Sequence, residues 1–229
     1  MRSSDNRLSG VRVIFLCFTN RCGSNSLSED IGRFEECGTA DEHLNAEAVI
    51  DVSKRKGFKN FSDYLVWLFS SQEKKMPAVK ASVDQILFLY EAGVFDNLIK
   101  RPVFIHAKRR DMLKQAVSFW VALETGKWTS QQDGNGKTPK FNEEKILQIM
   151  NDLGNSNARM ESFFSLIGAQ RLDIIYEDYI SDREGGAKRI AEFLGVKKND
   201  VKISSRRKLK KQSSSINDNL IERIRSNYV

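Results

Sequence analysis

The residues best suited to chemistry lie in TNRCGSNS, residues 19–26. One arginine, one glycine and several hydroxyl and amide side chains follow the apolar run VRVIFLCF, residues 11–18. A run rich in β-branched and aromatic residues reads as a buried strand. Beyond the turn, Leu27 begins a helical pattern, with Ser24 or Asn25 placed to cap it. A strand that turns through a glycine onto a helix N-terminus gathers free backbone N–H groups and the positive helix end at one point. The chemistry on offer is the binding of a phosphate-like anion. Such turns are common, so this loop alone defines a ligand class and no reaction.

A second group lies further along the chain. Lys108, Arg109 and Arg110 follow the apolar run PVFIH, residues 102–106, and Ser118 lies eight positions beyond Arg110 on a periodic segment. A guanidinium fork from a loop and a hydroxyl from the next helix clamp one phosphate between them. A second basic cluster holds Arg206, Arg207, Lys208, Lys210 and Lys211.

These groups need a scaffold, and the chain supplies an alternating one. With 229 residues, 40% of them apolar, it is long enough for one domain with a full core. Strands are expected over residues 11–18, 77–81, 102–106 and 172–176. Helices are expected over 24–36, 62–71, 83–92, 111–125, 142–166 with a break near Gly154, 184–194 and 216–225. Residues 38–58 show no clean period and read as a long loop, and the polar stretch 129–140 reads as an exposed lid. Residues 1–10 read as a flexible lead and 11–229 as one domain. The order predicts an α/β fold, a central parallel sheet with helices on both faces. Ligands on such sheets bind at the carboxyl ends of the strands, which brings the loops after strands one and three to one edge.

Charge and rare residues narrow the function. The net charge of +7 suits nucleic acid, an anionic surface or a small polyanion. Two compact basic clusters, with no basic helix face and no nucleic-acid-binding signature, favour the small polyanion. The cysteines Cys17, Cys22 and Cys37 are odd in number and lack zinc spacing, which points to a reducing, cytoplasmic setting. Cys22 at an electropositive helix start is expected to be a reactive thiol. Two histidines make a histidine metal site a poor expectation. No apolar run is long enough to span a membrane.

The motifs then show a resemblance. RCGSNSL, residues 21–27, resembles the RSGSTLL phosphosulfate loop of sulfotransferases, and RRDMLKQAVSFWVALETGKW, residues 109–128, resembles the RRDKxxQAVSxWxAxxTGxW signature of bacterial carbohydrate sulfotransferases. PAVKAS around Lys80, IIYEDYISD (174–182) and LKKQSSSINDNLIERI near the end resemble further segments of that family. The resemblance implies a P-loop-like sulfotransferase fold and 3′-phosphoadenosine-5′-phosphosulfate (PAPS) as donor, with no metal. It implies that Arg21 and the backbone of Cys22, Gly23, Ser24 and Asn25, with Ser26, hold the phosphosulfate. Arg110 and Ser118 would bind the 3′-phosphate, and Lys210, Lys211 and Gln212 would fold over the nucleotide. The acceptor would be a hydroxyl of a carbohydrate or glycolipid, and a homodimer is compatible with the family. The family base is a glutamate after the first helix; counting from Gly23 without gaps places it at Glu42, with His43 beside it as rival. His106 at the end of strand three reads as structural or as a support behind the site. Cys22 and Asn25 stand where the family has serine and threonine. Two other classes stay open: a nucleotide-dependent small-molecule kinase, although the loop lacks the GK[ST] ending that holds β- and γ-phosphates, and a non-catalytic polyanion binder.

Overall fold

The structure is a computed structural model that describes residues 7, 8, 10–129, 132–196 and 215–228. Four strands form the sheet among these residues: β1 (Arg12–Cys17), β2 (Ala78–Ala81), β3 (Arg101–Lys108) and β4 (Arg171–Ile175). All pairings are parallel and the order is β2-β1-β3-β4. A parallel sheet is buried on both faces, so its strands are continuous apolar runs rather than alternating ones. Residues 13–17 of β1 are indeed all fully buried.

The pleat sends successive side chains to opposite faces. Val13, Phe15 and Cys17 join Val79, Ala81 and Phe104 on one face. There they meet α3 (Phe61–Ser70), α4 (Val83–Glu91), the single-turn α5 (Val94–Asn97) and the C-terminal half of α7 (Glu143–Ile167) through Tyr64, Leu65, Ile86, Val94, Phe163 and Phe164. Ile14, Leu16, Val103, Ile105 and Ile174 face the other way. They pack on α1 (Ser24–Ile31) and α9 (Arg183–Leu194) through Leu27, Ile31, Ala187, Ile190 and Leu194. Each fully buried side chain of this size stabilises by roughly 1.5–3 kcal/mol. A third cluster joins α6 (Met112–Thr125), α7 and α10 (Ser215–Arg225) through Val117, Ile146, Leu153, Leu220 and Ile224. No helix among the described residues is long and apolar enough to cross a membrane.

Three expectations change. Residues 38–58 are not one loop, because α2 (Ala46–Lys56) lies within them. No residue of α2 is fully buried; Val49 and Val52 only touch the core, so no apolar period advertises it. The helix after β1 stops at Ile31 rather than at residue 36. And α7 runs unbroken through Gly154, where the missing side chain admits Met112; a Cβ there would lie 3.3 Å from Met112 Cε. The short α8 (Tyr176–Ser181) follows β4 directly.

His106 is packed within the fold, away from the cleft lining. It is 1% exposed on β3, its ring lies 5.5 Å from that of Phe164, and its Nδ1 has no hydrogen-bond partner among the described residues. Glu161 Oε1 at 3.5 Å and Asp173 Oδ1 at 3.6 Å are its nearest carboxylate oxygens. Burial, aided by Lys108, pushes its pKa down to about 4. The unfolded chain protonates this histidine near pH 6.5 and the folded chain does not. Stability is therefore full above pH 6.5 and declines as pH falls toward 4. Between pH 7 and 5 the expected loss from this group is about 2 kcal/mol, read as a falling urea midpoint. His106→Gln should flatten that slope; an unchanged slope would place its origin elsewhere.

Candidate active site

A cleft of about 1000 Å³ opens at the carboxyl ends of all four strands. Thr19, Asn20 and Arg21 enter it after β1, Ser82 after β2, Arg109 after β3, and Tyr176 and Glu177 after β4. Gly23, Ser24, Asn25 and Ser26 line it from the start of α1. The cap of α1 is Gly23 itself, with no side-chain cap, so neither Ser24 nor Asn25 fills that role. Arg21 and Gly23 have φ of 65° and 91°, the left-handed region. Glycine is required at 23 for a second reason: a Cβ there would sit 2.1 Å from Tyr176 Cδ2. The buried Gln115 fastens the loop from beneath, donating to Thr19 Oγ1 at 2.9 Å and to the Asn20 carbonyl at 2.7 Å.

Two guanidinium groups share one wall. Arg21 Nε donates to Ser118 Oγ at 3.0 Å, and its Nη1 donates to the Trp128 carbonyl at 2.5 Å. Arg109 donates to the Arg21 carbonyl at 3.3 Å and lies 5.2 Å from the centre of the Tyr176 ring. Burial and then the charge of Arg109 lower the pKa of Arg21. Glu177 Oε1 lies 3.2 Å from Arg109 Nε and offsets part of this charge, so Arg21 and the uncapped helix N-terminus are the features of the wall that suit an anion.

Arg110 lies elsewhere. It is not part of the cleft lining, and both its 2.7 Å contacts go to the Asp178 carboxylate, largely in solvent. The guanidinium that meets Ser118 belongs to Arg21. Beyond the end of β3, Arg109 turns into the cleft and Arg110 turns out to Asp178. Cys22 is fully buried in the apolar cluster under α1, and burial pushes its thiol pKa up. The expected reactive thiol is therefore overturned: this sulfur lies in the core rather than at the electropositive surface. Lys210, Lys211 and Gln212 lie outside the described residues. The helix that follows, α10, adds Asn217, Asp218 and Ile221 to the cleft.

Glu42 and His43 separate cleanly. Residues 36–41 run beside β2: the Met76 amide donates to the Glu36 carbonyl, Gly38 to Met76 and Lys80 to Asp41, each at 2.9 Å. This extra edge delivers Glu42 to the rim of the cleft, 43% exposed at its side chain. Its Oε1 lies 3.4 Å from Lys80 Nζ. His43 lines a separate depression of about 230 Å³ with Thr39, Asp41 and Lys74, and its carbonyl accepts the Tyr64 hydroxyl at 2.6 Å. Arg109, Gln115, Tyr176, Asn217 and Lys80 were absent from the sequence-based site. Gln115 had a visible signal, a polar residue on an otherwise apolar helix stripe; Arg109 lay in the basic cluster, and Lys80, Tyr176 and Asn217 lay in segments that resemble the family, without a role assigned to any of them.

The backbone defines the class: it is a sulfotransferase fold. It superposes on the sulfotransferase domain of the Synechococcus PCC 7002 olefin synthase with a TM-score of 0.61 at 15% identity, covering 99% of this chain and 91% of that one. A sulfotransferase from Alicyclobacillus acidocaldarius gives 0.55 at 12% identity, over 99% and 93%. The sequence then gives the family: the Stf0 sulphotransferase model matches residues 64–227, and the chain belongs to that family. Trehalose 2-sulfotransferase of Mycobacterium tuberculosis is 25% identical over 136 residues, 59% of this chain and 50% of the relative. That of Mycolicibacterium smegmatis is 25% identical over 135 residues, 58% and 49%. The chain thus spans about half the length of the curated relatives it matches, and the family match begins beyond the anion loop and Glu42.

Proposed function

We propose that this protein transfers a sulfuryl group from PAPS to a hydroxyl of a carbohydrate or glycolipid. One observation carries the proposal: Arg21, Arg109, Ser118 and the uncapped start of α1 converge on the cleft that Glu42 borders. In this reading the phosphate and phosphosulfate oxygens lie against the two guanidinium groups, the Ser118 hydroxyl and the α1 amides. The acceptor oxygen attacks sulfur, and the bond from sulfur to the bridging oxygen breaks. The electron pair stays on that oxygen, where Arg21 and the helix start stabilise it. Glu42 takes the acceptor's proton. We assign the phosphate contact to Arg109, which lines the cleft, in place of Arg110, to which the resemblance gives it. Carbohydrate as acceptor is favoured by the trehalose 2-sulfotransferases among the relatives.

The test pairs binding with turnover. Adenosine 3′,5′-bisphosphate should raise the melting temperature, ATP with magnesium and an oligonucleotide should not, and labelled sulfate should pass from PAPS to a sugar or glycolipid in a panel. A response to ATP–magnesium without one to the bisphosphate would sink the proposal and favour a kinase. Gly23→Ala should weaken bisphosphate binding at least about tenfold, because the new methyl group must push the loop or Tyr176 away. Calorimetric titration measures this directly.

A further inference from the structure

We propose that Lys80 is a positioning residue that fixes the Asn25 amide so that only its N–H groups are left for the anion. The proposal rests on the donor-site reading above. Lys80 is a buried cation, 5% exposed, near the end of β2. Its Nζ donates to Asn25 Oδ1, lies 3.4 Å from Glu42 Oε1, and sits 6.0 Å from the centre of the Phe18 ring. An ammonium has three donors and no acceptor, so the Asn25 atom that meets it must be the carbonyl oxygen. That oxygen is thereby withdrawn from the ligand.

Asn25 belongs to the first turn of α1 and lines the cleft beside Gly23, Ser24 and Ser26. A free carboxamide there could present oxygen or nitrogen, and oxygen would repel an anion. With the oxygen claimed, the amide N–H groups remain, and they suit a phosphate or sulfate oxygen. The same ammonium reaches Glu42, so one buried charge ties the anion loop to the proposed base across residues distant in sequence.

A double-mutant cycle tests this, read by calorimetric titration of adenosine 3′,5′-bisphosphate into the full chain. Lys80→Met should weaken binding about tenfold when residue 25 is asparagine, because the amide is then free to turn. In an Asn25→Thr background it should weaken binding by less than about threefold, because a hydroxyl needs no lysine to orient it. Asn25→Asp supplies a second, fold-independent arm. It keeps Lys80 paired, so the melting temperature should hold, yet it offers the ligand only acceptors and should weaken binding at least tenfold. Equal losses from Lys80→Met in both backgrounds, or unchanged binding by Asn25→Asp, would overturn the proposal while leaving the donor site intact. Failure of the unaltered protein to bind the bisphosphate would overturn both.

Discussion

Glu42→Gln is expected to lower kcat by about 100-fold or more while leaving the affinity for adenosine 3′,5′-bisphosphate within about twofold. The substitution is nearly isosteric. Its amide oxygen can still accept from Lys80, which lies 3.4 Å from Oε1. What it loses is basicity, and basicity is the property a proton acceptor needs. A purely structural carboxylate would show the opposite pattern, with stability and binding lost together. His43→Ala is the matched control. Its side chain lies toward the smaller depression, so kcat should stay near that of the unaltered enzyme. Near-normal turnover by Glu42→Gln would remove Glu42 from the mechanism.

The largest stability effect is expected at Asp30. Its side chain is fully buried. Arg183 forks onto it, with Nε 2.6 Å from Oδ2 and Nη2 2.5 Å from Oδ1, and the Tyr179 hydroxyl donates to the same carboxylate. Asp30→Ala strands the Arg183 guanidinium in a site where it is 12% exposed. Breaking a buried pair in this way costs about 3–5 kcal/mol, a large part of the roughly 5–15 kcal/mol that holds a domain folded. The melting temperature should fall by roughly 10 °C. Removing both partners, Asp30→Leu with Arg183→Met, should cost less than Asp30→Ala alone, because no charge is left without a partner. A loss below about 1 kcal/mol for Asp30→Ala would show that solvent reaches this pair. Because Asp30 lies on α1, bisphosphate binding should weaken along with stability.

The strands and long helices were legible because burial writes itself into apolar runs and helical stripes. VRVIFLCF could hardly be anything but a central strand, and the apolar stripe of residues 83–92 placed α4, whose start the structure closes with a reciprocal Ser82–Gln85 cap. α2 was hidden because it lies on the surface and buries nothing fully. Gly154 misled because a glycine that ends a helix and one that admits a neighbouring methionine look alike in a sequence. The anion loop was legible from its turn chemistry. Which arginine of the 108–110 cluster faces the cleft was not, since adjacent residues at a strand end carry no period. Glu42 was reached only by resemblance, and its place follows from the 36–41 edge beside β2. Lys80 sits in the expected strand 77–81, and pairing of that strand beside Asp41 and β1 shows it buried.

The cleft wall opposite the anion loop has a consequence for synthesis. The loop is made well before the ring pressed against Gly23, which belongs to Tyr176, and before the group that grips Asp30, which belongs to Arg183. Until about residue 183 has emerged, Arg109 lacks the Tyr176 face and α1 lacks its buried counter-charge. A nascent chain long enough to form β1, β2 and β3 still has no finished anion site. A chain cut before β4 is therefore expected to lack the anion site proposed above, because it has neither Tyr176 nor Arg183.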